Sequence, residues 1–373
     1  MKNHGNASFG WIWHLRRKRH HLSQAKVMKS VSFSLPLSTV ISLCLGGMLI
    51  SSCSSQLGNS THKESAQEQL ESSTHVDNTF LIHLDPEACQ VDIADKLGVN
   101  SVYEEEINEK KALRNIRINN IASHVVGAFP NKGNPNSIRA RKASYSIPLN
   151  PSFAKEATHA QGYDSGVLFS GVGIDPFTAE FFIGTEGHAN MEWNITTLTT
   201  TEDLGLDCNN AHVQPSGKYH YHGTPSAYLA DLGVDGSQMV KVGYAADGFP
   251  IYYKYGMDDS GTIVVHESGY TLRLGERPGD GITAPDGRYN GRYFQDYEYV
   301  EGLSDLDACN GRWGKTPESE HEYYYVITDN FPSVPLCFSG TPSTDFRKMG
   351  RPPRPGGRPP HPPGREGQRP RRH

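Results

Sequence analysis

The chain has 373 residues, 36 Lys/Arg against 41 Asp/Glu, and a formal net charge of −5. Sixteen of the basic residues and one of the acidic ones lie in the first 29 and last 28 positions, so the body between them carries roughly −20. Such a body repels nucleic acid and attracts cations. No HExxH, Walker A, GxSxG or Rossmann glycine pattern occurs, which removes the common protease, NTPase, lipase and dehydrogenase readings.

From the start, Arg16, Arg17, Lys18 and Arg19 precede an apolar stretch, Val31 to Ile50, which ends in Ile50-Ser51-Ser52-Cys53. A basic start, an apolar core and small residues before a cut make a secretory signal. The Cys at the cut resembles a bacterial lipobox, so residues 1–53 read as a basic extension plus a lipoprotein signal peptide. Cys53 is then expected to carry acyl lipid such as palmitate and to anchor the protein in the bilayer. Met28-Lys29 is a natural start for that signal, which leaves residues 1–27 as an upstream start or a long cytoplasmic n-region. A transmembrane anchor is the competing reading, because the run is long enough to span. Ser54, rather than Asp, follows the Cys; by resemblance to Gram-negative lipoproteins this suggests the outer membrane.

Residues 54–79 are Ser, Thr, Gln, Glu and His with little apolar content and read as a flexible tether. Cys89, Cys208, Cys309 and Cys337 remain after it. Four cysteines allow three pairings, and an oxidising compartment favours bridging. Cys309–Cys337 and Cys89–Cys208 is the expected pairing. A Cys-ligated metal site competes, but no CxxC spacing supports it.

Leu97 to Ile121 mixes charged and apolar residues without deciding between helix and strand. Gly127 to Asn136 is dense in turn formers. From Tyr145 onward short apolar or aromatic runs alternate with Gly, Pro, Asn and Asp: Ser144–Leu149, Gly166–Ile174, Ala179–Ile183, Gly248–Tyr255, Thr262–His266, Tyr289–Val300 and Tyr323–Thr328. This predicts a single mainly β domain over 80–345, sandwich-like or multi-hairpin, with few short helices. The Arg/Pro/Gly tail from Phe346 to His373 reads as disordered, partly polyproline II. It is a solvated tail or an electrostatic contact with an anionic lipid surface or envelope polymer.

Chemistry concentrates in Asn209 to His222. Tyr219-His220-Tyr221-His222 alternates with a strand period, so His220 and His222 share one face and the tyrosines take the other. Pro215-Ser216-Gly217 reads as a turn that folds His212 back beside them. Three neutral imidazoles on one side of a hairpin suit one transition metal ion, zinc or copper above others. Asp247 and His124 are weaker candidates for a fourth ligand or a supporting partner. Glu180 and His188 read as surface residues. Asp296 and Glu298 alternate with tyrosines on one strand face, which calcium or plain solvent suits. A short echo accompanies the motif: Leu206-Asp207-Cys208-Asn209 against Leu306-Asp307-Ala308-Cys309-Asn310, and Tyr219-His220-Tyr221-His222 against Tyr323-Tyr324-Tyr325-Val326. A duplicated β unit of this kind keeps its fold without the histidines.

Leu206 to Pro225, LDCNNAHVQPSGKYHYHGTP, resembles the signature of the YHYH domain family of exported proteins. Gly127–Ile138, Asp175–Glu180, Gly243–Tyr252, Asp296–Val300 and Leu306–Gly340 fit the same family, so the resemblance covers about 120–340. It implies no established activity. Cys208 stands where many relatives carry another residue, which supports an extra bridge to Cys89. The resulting expectation is an anchored, exported metal-binding protein, catalytic or carrier. The alternative is a surface module for glycan or envelope polymer, and a third is a structural lipoprotein.

Overall fold

The computed structural model describes residues 80–348 apart from His188. The expected signal peptide with Cys53, the expected tether, His188 and the residues beyond Lys348 therefore lie outside the described residues. Strand predominates, and only two short α-helices occur among the described residues, α1 (Ile93–Leu97) and α2 (Ser226–Asp231). No helix of the described residues is long and apolar enough to cross a membrane.

Leu97–Ile121 resolves into a strand pair. β1 (Tyr103–Asn108) and β2 (Leu113–Ile118) form a hairpin, and β3 (Ala143–Pro148) completes a three-stranded sheet. β1 exposes Glu104, Glu105 and Glu106 in succession, so charge on an edge strand hid its period. β4 (Phe153–His159) pairs far along the chain with β19 (Cys337–Gly340).

The centre is an eight-stranded mixed sheet. Its strands are β5 (Gly166–Leu168), β6 (Gly173–Ile174), β9 (Ala211–Val213), β10 (Tyr219–Tyr221), β11 (Lys241–Ala245), β12 (Pro250–Tyr253), β17 (Gly311–Gly314) and β18 (Glu322–Ile327). Their order across the sheet is β17-β18-β12-β11-β5-β6-β10-β9. Smaller hairpins flank it: β7 (Phe181–Ile183) with β8 (Ala189–Asn194), β13 (Tyr255–Met257) with β14 (Ile263–Val265), and β15 (Tyr270–Leu272) with β16 (Tyr297–Tyr299).

That order is a palindrome. The strand set 5-6-10-9 repeats as 11-12-18-17 on the other side of the β5–β11 seam. The seam is antiparallel, with Tyr244 opposite Val167, Gly243 opposite Leu168 and Ala245 opposite Gly166. Parallel pairing recurs in both halves, Tyr221 opposite Ile174 and Tyr325 opposite Ile251. Both halves open with the same turn: Gly171 N–H donates to Leu168 O (3.1 Å) and Gly248 N–H to Ala245 O (2.9 Å). Gly171 and Gly248 hold φ of +80° and +94°, a region that favours glycine. The run Gly166–Ile174 is thus two strands around a turn, not one.

The echo in the sequence is the second part of this duplication. Asn210 and Asn310 both adopt positive φ, and each accepts a strand N–H on its carbonyl, from His222 and Val326, both at 2.8 Å. Asp207 accepts Tyr219 Oη–H (2.6 Å) and Asn209 N–H (2.9 Å); Asp307 accepts Tyr323 Oη–H (2.6 Å) and Cys309 N–H (2.8 Å). A buried carboxylate needs such donors.

One face of the sheet carries Tyr219, Tyr221, Tyr323, Tyr325 and Ile251 into a core shared with Ile121, Val126, Phe129 and helix α2. The other face carries Tyr324, Val326 and Tyr252 against Leu306 and Met239, and Val167 and Tyr244 against Tyr145, Phe338 and Phe346. Phe346 is buried and stacks on Tyr145 with ring centroids 4.0 Å apart. Described packing thus continues past residue 345, through Phe346. Disulfides Cys89–Cys208 and Cys309–Cys337 tie down the Asp-Asn turn of each half, as expected.

Candidate metal centre

The β9–β10 hairpin forms as its residues dictate. Gly217 takes the turn with φ +88°, and the antiparallel register places His212 directly opposite His220. Tyr219 and Tyr221 anchor the hairpin by burying their rings completely, which forces the alternating histidines to the opposite face. His222 extends that face by one position.

The three imidazoles converge on one point. His222 Nε2 lies 3.1 Å from His212 Nε2 and 3.0 Å from His220 Nε2. Ring centroids sit 4.7–4.8 Å apart, so the rings form a near-equilateral triangle. Metal–nitrogen bonds of about 2.0–2.1 Å at tetrahedral angles hold nitrogens about 3.3 Å apart. The two separations from His222 are within a few tenths of an ångström of that, and all three ligand atoms lie within 4.8 Å of one another. His212 Nδ1 donates to Leu204 O at 2.9 Å, and His220 Nδ1 lies 3.3 Å from Lys218 O. A carbonyl on Nδ1 leaves the Nε2 lone pair facing inward, the arrangement a metal ligand needs.

Burial pushes the pKa of all three below the usual histidine value, and mutual repulsion and Lys218 and Lys348 lower His220 and His222 further. Neutral rings this close cannot all satisfy their inward nitrogens with each other. A single cation bound between them would. No other group of three or more His, Cys, Asp or Glu with this convergence exists among the described residues.

A cleft of about 480 Å³ opens over the triad, lined by Gln214, Phe177, Thr178, Glu180, Asp175 and Lys348 among others. Asp175 follows β6 beside β10, its N–H donating to Tyr221 O at 2.8 Å. Its buried carboxylate accepts from Lys348 Nζ, from Gln214 Nε2 at 3.2 Å and from Phe177 N–H at 3.3 Å. Burial raises its pKa, and Lys348 opposes that rise.

The duplicated half supplies the comparison. Arg312 stands where His212 does, Tyr324 where His220 does, and Val326 where His222 does. Tyr252 takes the place of Asp175. There a built-in cation fills the position: Arg312 Nη1 pairs with Asp305 Oδ2 at 2.6 Å and approaches His266 Nε2 at 3.0 Å. The matching strand pair thus forms with no histidine at any of the three triad positions.

Matched against protein families, residues 144–340 fit the model described as YHYH protein. The chain belongs to the YHYH protein family. No curated protein and no solved structure matches it. In this YHYH protein the residues that spell the family name divide by face: the tyrosines hold the core and the histidines face the cleft.

Two expected partners are elsewhere. His124 is buried on the tyrosine face, its Nε2 accepting from Tyr221 Oη–H (2.6 Å) and its Nδ1–H donating to Val125 O (2.8 Å). Both nitrogens are thus committed on the wrong side of β10. Asp247 accepts from Tyr325 Oη–H at 2.6 Å and Gly340 N–H at 2.9 Å. It occupies in the second half the place of Ser170, whose hydroxyl lies 2.7 Å from Tyr221 Oη in the first. Both residues support core tyrosines, not the triad. Asp296 is buried on Arg277, at 2.8 Å from Nε and 2.7 Å from Nη2, while Glu298 pairs with Arg273, so they form no shared carboxylate site. Glu180 sits exposed on the cleft rim. Asp175 and Lys348 were not foreseen. Asp175 begins the family-like stretch DPFTAE, a signal that was there to be used; Lys348 sits in a basic run that conceals it.

Proposed function

We propose that this YHYH protein is an exported metalloprotein in which His212, His220 and His222 hold one transition metal ion, zinc or copper. The observation that carries the reading is the convergence of three imidazoles, with His222 Nε2 3.1 Å from His212 Nε2 and 3.0 Å from His220 Nε2 and all three ligand atoms within 4.8 Å of one another, at positions where the sister half carries Arg312, Tyr324 and Val326. Three protein ligands under an open cleft resemble catalytic sites, which keep a position free, more than closed structural ones. A metal there supplies an acidified water or a polarised substrate oxygen. Around it Asp175 and Lys348 offer a held carboxylate and an ammonium that orient a polar substrate, and Gln214 keeps Asp175 in place. The two disulfides fit an oxidising, exported setting. Anchoring through lipidated Cys53, outer-membrane residence and a contact of the basic tail with an anionic envelope surface complete the reading.

The test is elemental analysis of the chain exported to the periplasm and purified without chelator or His-tag, beside a His220→Ala/His222→Ala variant. About one zinc or copper per parent chain, lost in a variant that stays folded, is the expected result. A parent that holds no metal even after reconstitution with both ions overturns the proposal.

A further inference from the structure

A second site lies on the half without the histidines. β17 is an edge strand, and its Trp313 remains 50% exposed. Phe153 on β4, 49% exposed, lies nearly parallel to it, with centroids 5.6 Å and planes 11° apart. His321 lies nearly parallel to Trp313 as well, at 4.9 Å and 17°. Half of the residue thus meets solvent even with both neighbours in place. The fold does not require this: the matching residue in the first half is Val213, 1% exposed. There Asn134 and Asn136 close over the strand by donating to Val213 O at 3.0 and 2.8 Å.

Beside the rings runs an open groove of about 520 Å³, lined by Trp313, His321, Tyr244, Arg114, Lys241 and Glu318 among others, within the range of about 300–1,000 Å³ usual for small-molecule sites. Its cations are already paired within the protein. Arg114 is bound to Glu105 and lies over the Tyr244 ring at 4.1 Å. Lys241 pairs with Glu318 at 2.9 Å, and Glu322 accepts Thr316 Oγ1–H. An anion finds no unpaired cation here, and a lipid chain finds too much polarity.

An added peptide strand is disfavoured too. Most outward backbone groups of β17 are taken: Gly311 O by Asp307 N–H (2.8 Å), Gly311 N–H by Asp307 Oδ1 (2.9 Å), and Trp313 O by Arg312 Nε–H (3.2 Å), which leaves Trp313 N–H alone to pair with a strand. Strand addition depends on such groups being free.

What remains is a ligand with flat C–H faces for aromatic rings and neutral hydroxyls for matched polar side chains. The geometry points to a neutral saccharide chain, bound along the Phe153–Trp313–His321 rings with hydroxyls reaching Glu318, Lys241 and Arg114. This site is separate from the triad and stands or falls independently of metal binding.

The test is calorimetric titration of the full exported chain with cellohexaose, maltohexaose and N-acetylchitohexaose. Binding of at least one is expected. Trp313→Ala should weaken it about tenfold or more, Phe153→Ala should weaken it less, and Trp313→Phe should restore most of it. His220→Ala/His222→Ala should bind sugar as the parent does. A parent that binds none of the three overturns the proposal. So does a Trp313→Ala chain that melts like the parent and binds equally well. Preferential binding of a sulfated oligosaccharide that salt abolishes also overturns it.

Discussion

Loading the histidine triad should stabilise the fold by an amount that can be worked out in advance. A ligand that binds only the folded state stabilises it by RT ln(1 + [L]/Kd), about 2.7 kcal/mol at a hundredfold excess over Kd. For a domain of this size about 1 kcal/mol moves Tm by roughly 2–4 °C, so metal loading should raise Tm by about 5–11 °C. His222 Nε2 needs to move only a few tenths of an ångström from each partner nitrogen to reach metal-bond spacing. The assay is a thermal melt of the exported chain after dialysis against chelator and after return of zinc or copper. In His222→Ala the loaded and stripped melts should coincide, because one vertex of the triangle is gone. In His124→Gln, whose parent ring nitrogens face the other side of β10, the metal shift should persist on a lower baseline. Loaded and stripped parent melting within 1 °C of each other, with ion in excess of any micromolar Kd, would refute the reasoning.

Three further outcomes follow from the duplicated frame and its buried groups. Asp207→Asn turns an amide N–H₂ toward N–H and O–H donors, as does Asp307→Asn; each should cost about 2–4 kcal/mol in urea unfolding, with Asp207 the larger because it also holds Gly127 N–H at 2.8 Å. Removing Cys89–Cys208, which spans 119 residues, should cost about 5 kcal/mol, and Cys309–Cys337, which spans 28, about 4 kcal/mol; equal losses or none in Cys→Ser melts would count against the chain-entropy account. Burial pushes His124 and His159 down to about 4. The unfolded chain therefore binds more protons than the native one as pH falls from about 6.5 toward 4, and each histidine should cost about 1.4 kcal/mol per pH unit in that window. Urea midpoints between pH 7 and 5 that do not change, or His124→Leu with the parent's slope, would contradict this.

The hairpin was legible because its signals were local. Alternation at Tyr219–His222 gave the faces, Pro215-Ser216-Gly217 gave the turn, and together they brought His212 to His220. The echo was legible where it rests on Asp207 and Asp307, whose side chains every copy of the turn needs. The first part of each half was not: Gly166–Asp175 and Gly243–Tyr252 share little beyond glycines and Ile174/Ile251, since a buried strand accepts many apolar residues. Asp247 and His124 misled for one reason. A buried polar residue looks the same in sequence whether it holds a metal or a tyrosine hydroxyl, and only the strand face separates the two. Phe346 and Lys348 were hidden by composition, because the Arg/Pro run after them outweighs one phenylalanine.

The seam between β5 and β11 has a consequence of its own. Its register maps onto itself when the halves are exchanged, with Val167 and Tyr244 on the axis and glycines at the matching positions 166 and 243. A Cβ on Gly166 would come within 2.6 Å of Tyr244 O, and one on Gly243 within 2.2 Å of Val167 O. This is the self-complementary contact that two identical chains make about a two-fold axis. A forebear of half the length would have closed its sheet only as a homodimer, with the same cleft on both sides. Held in one chain, the two clefts need not match: one carries His212, His220 and His222, the other Arg312 and Tyr324.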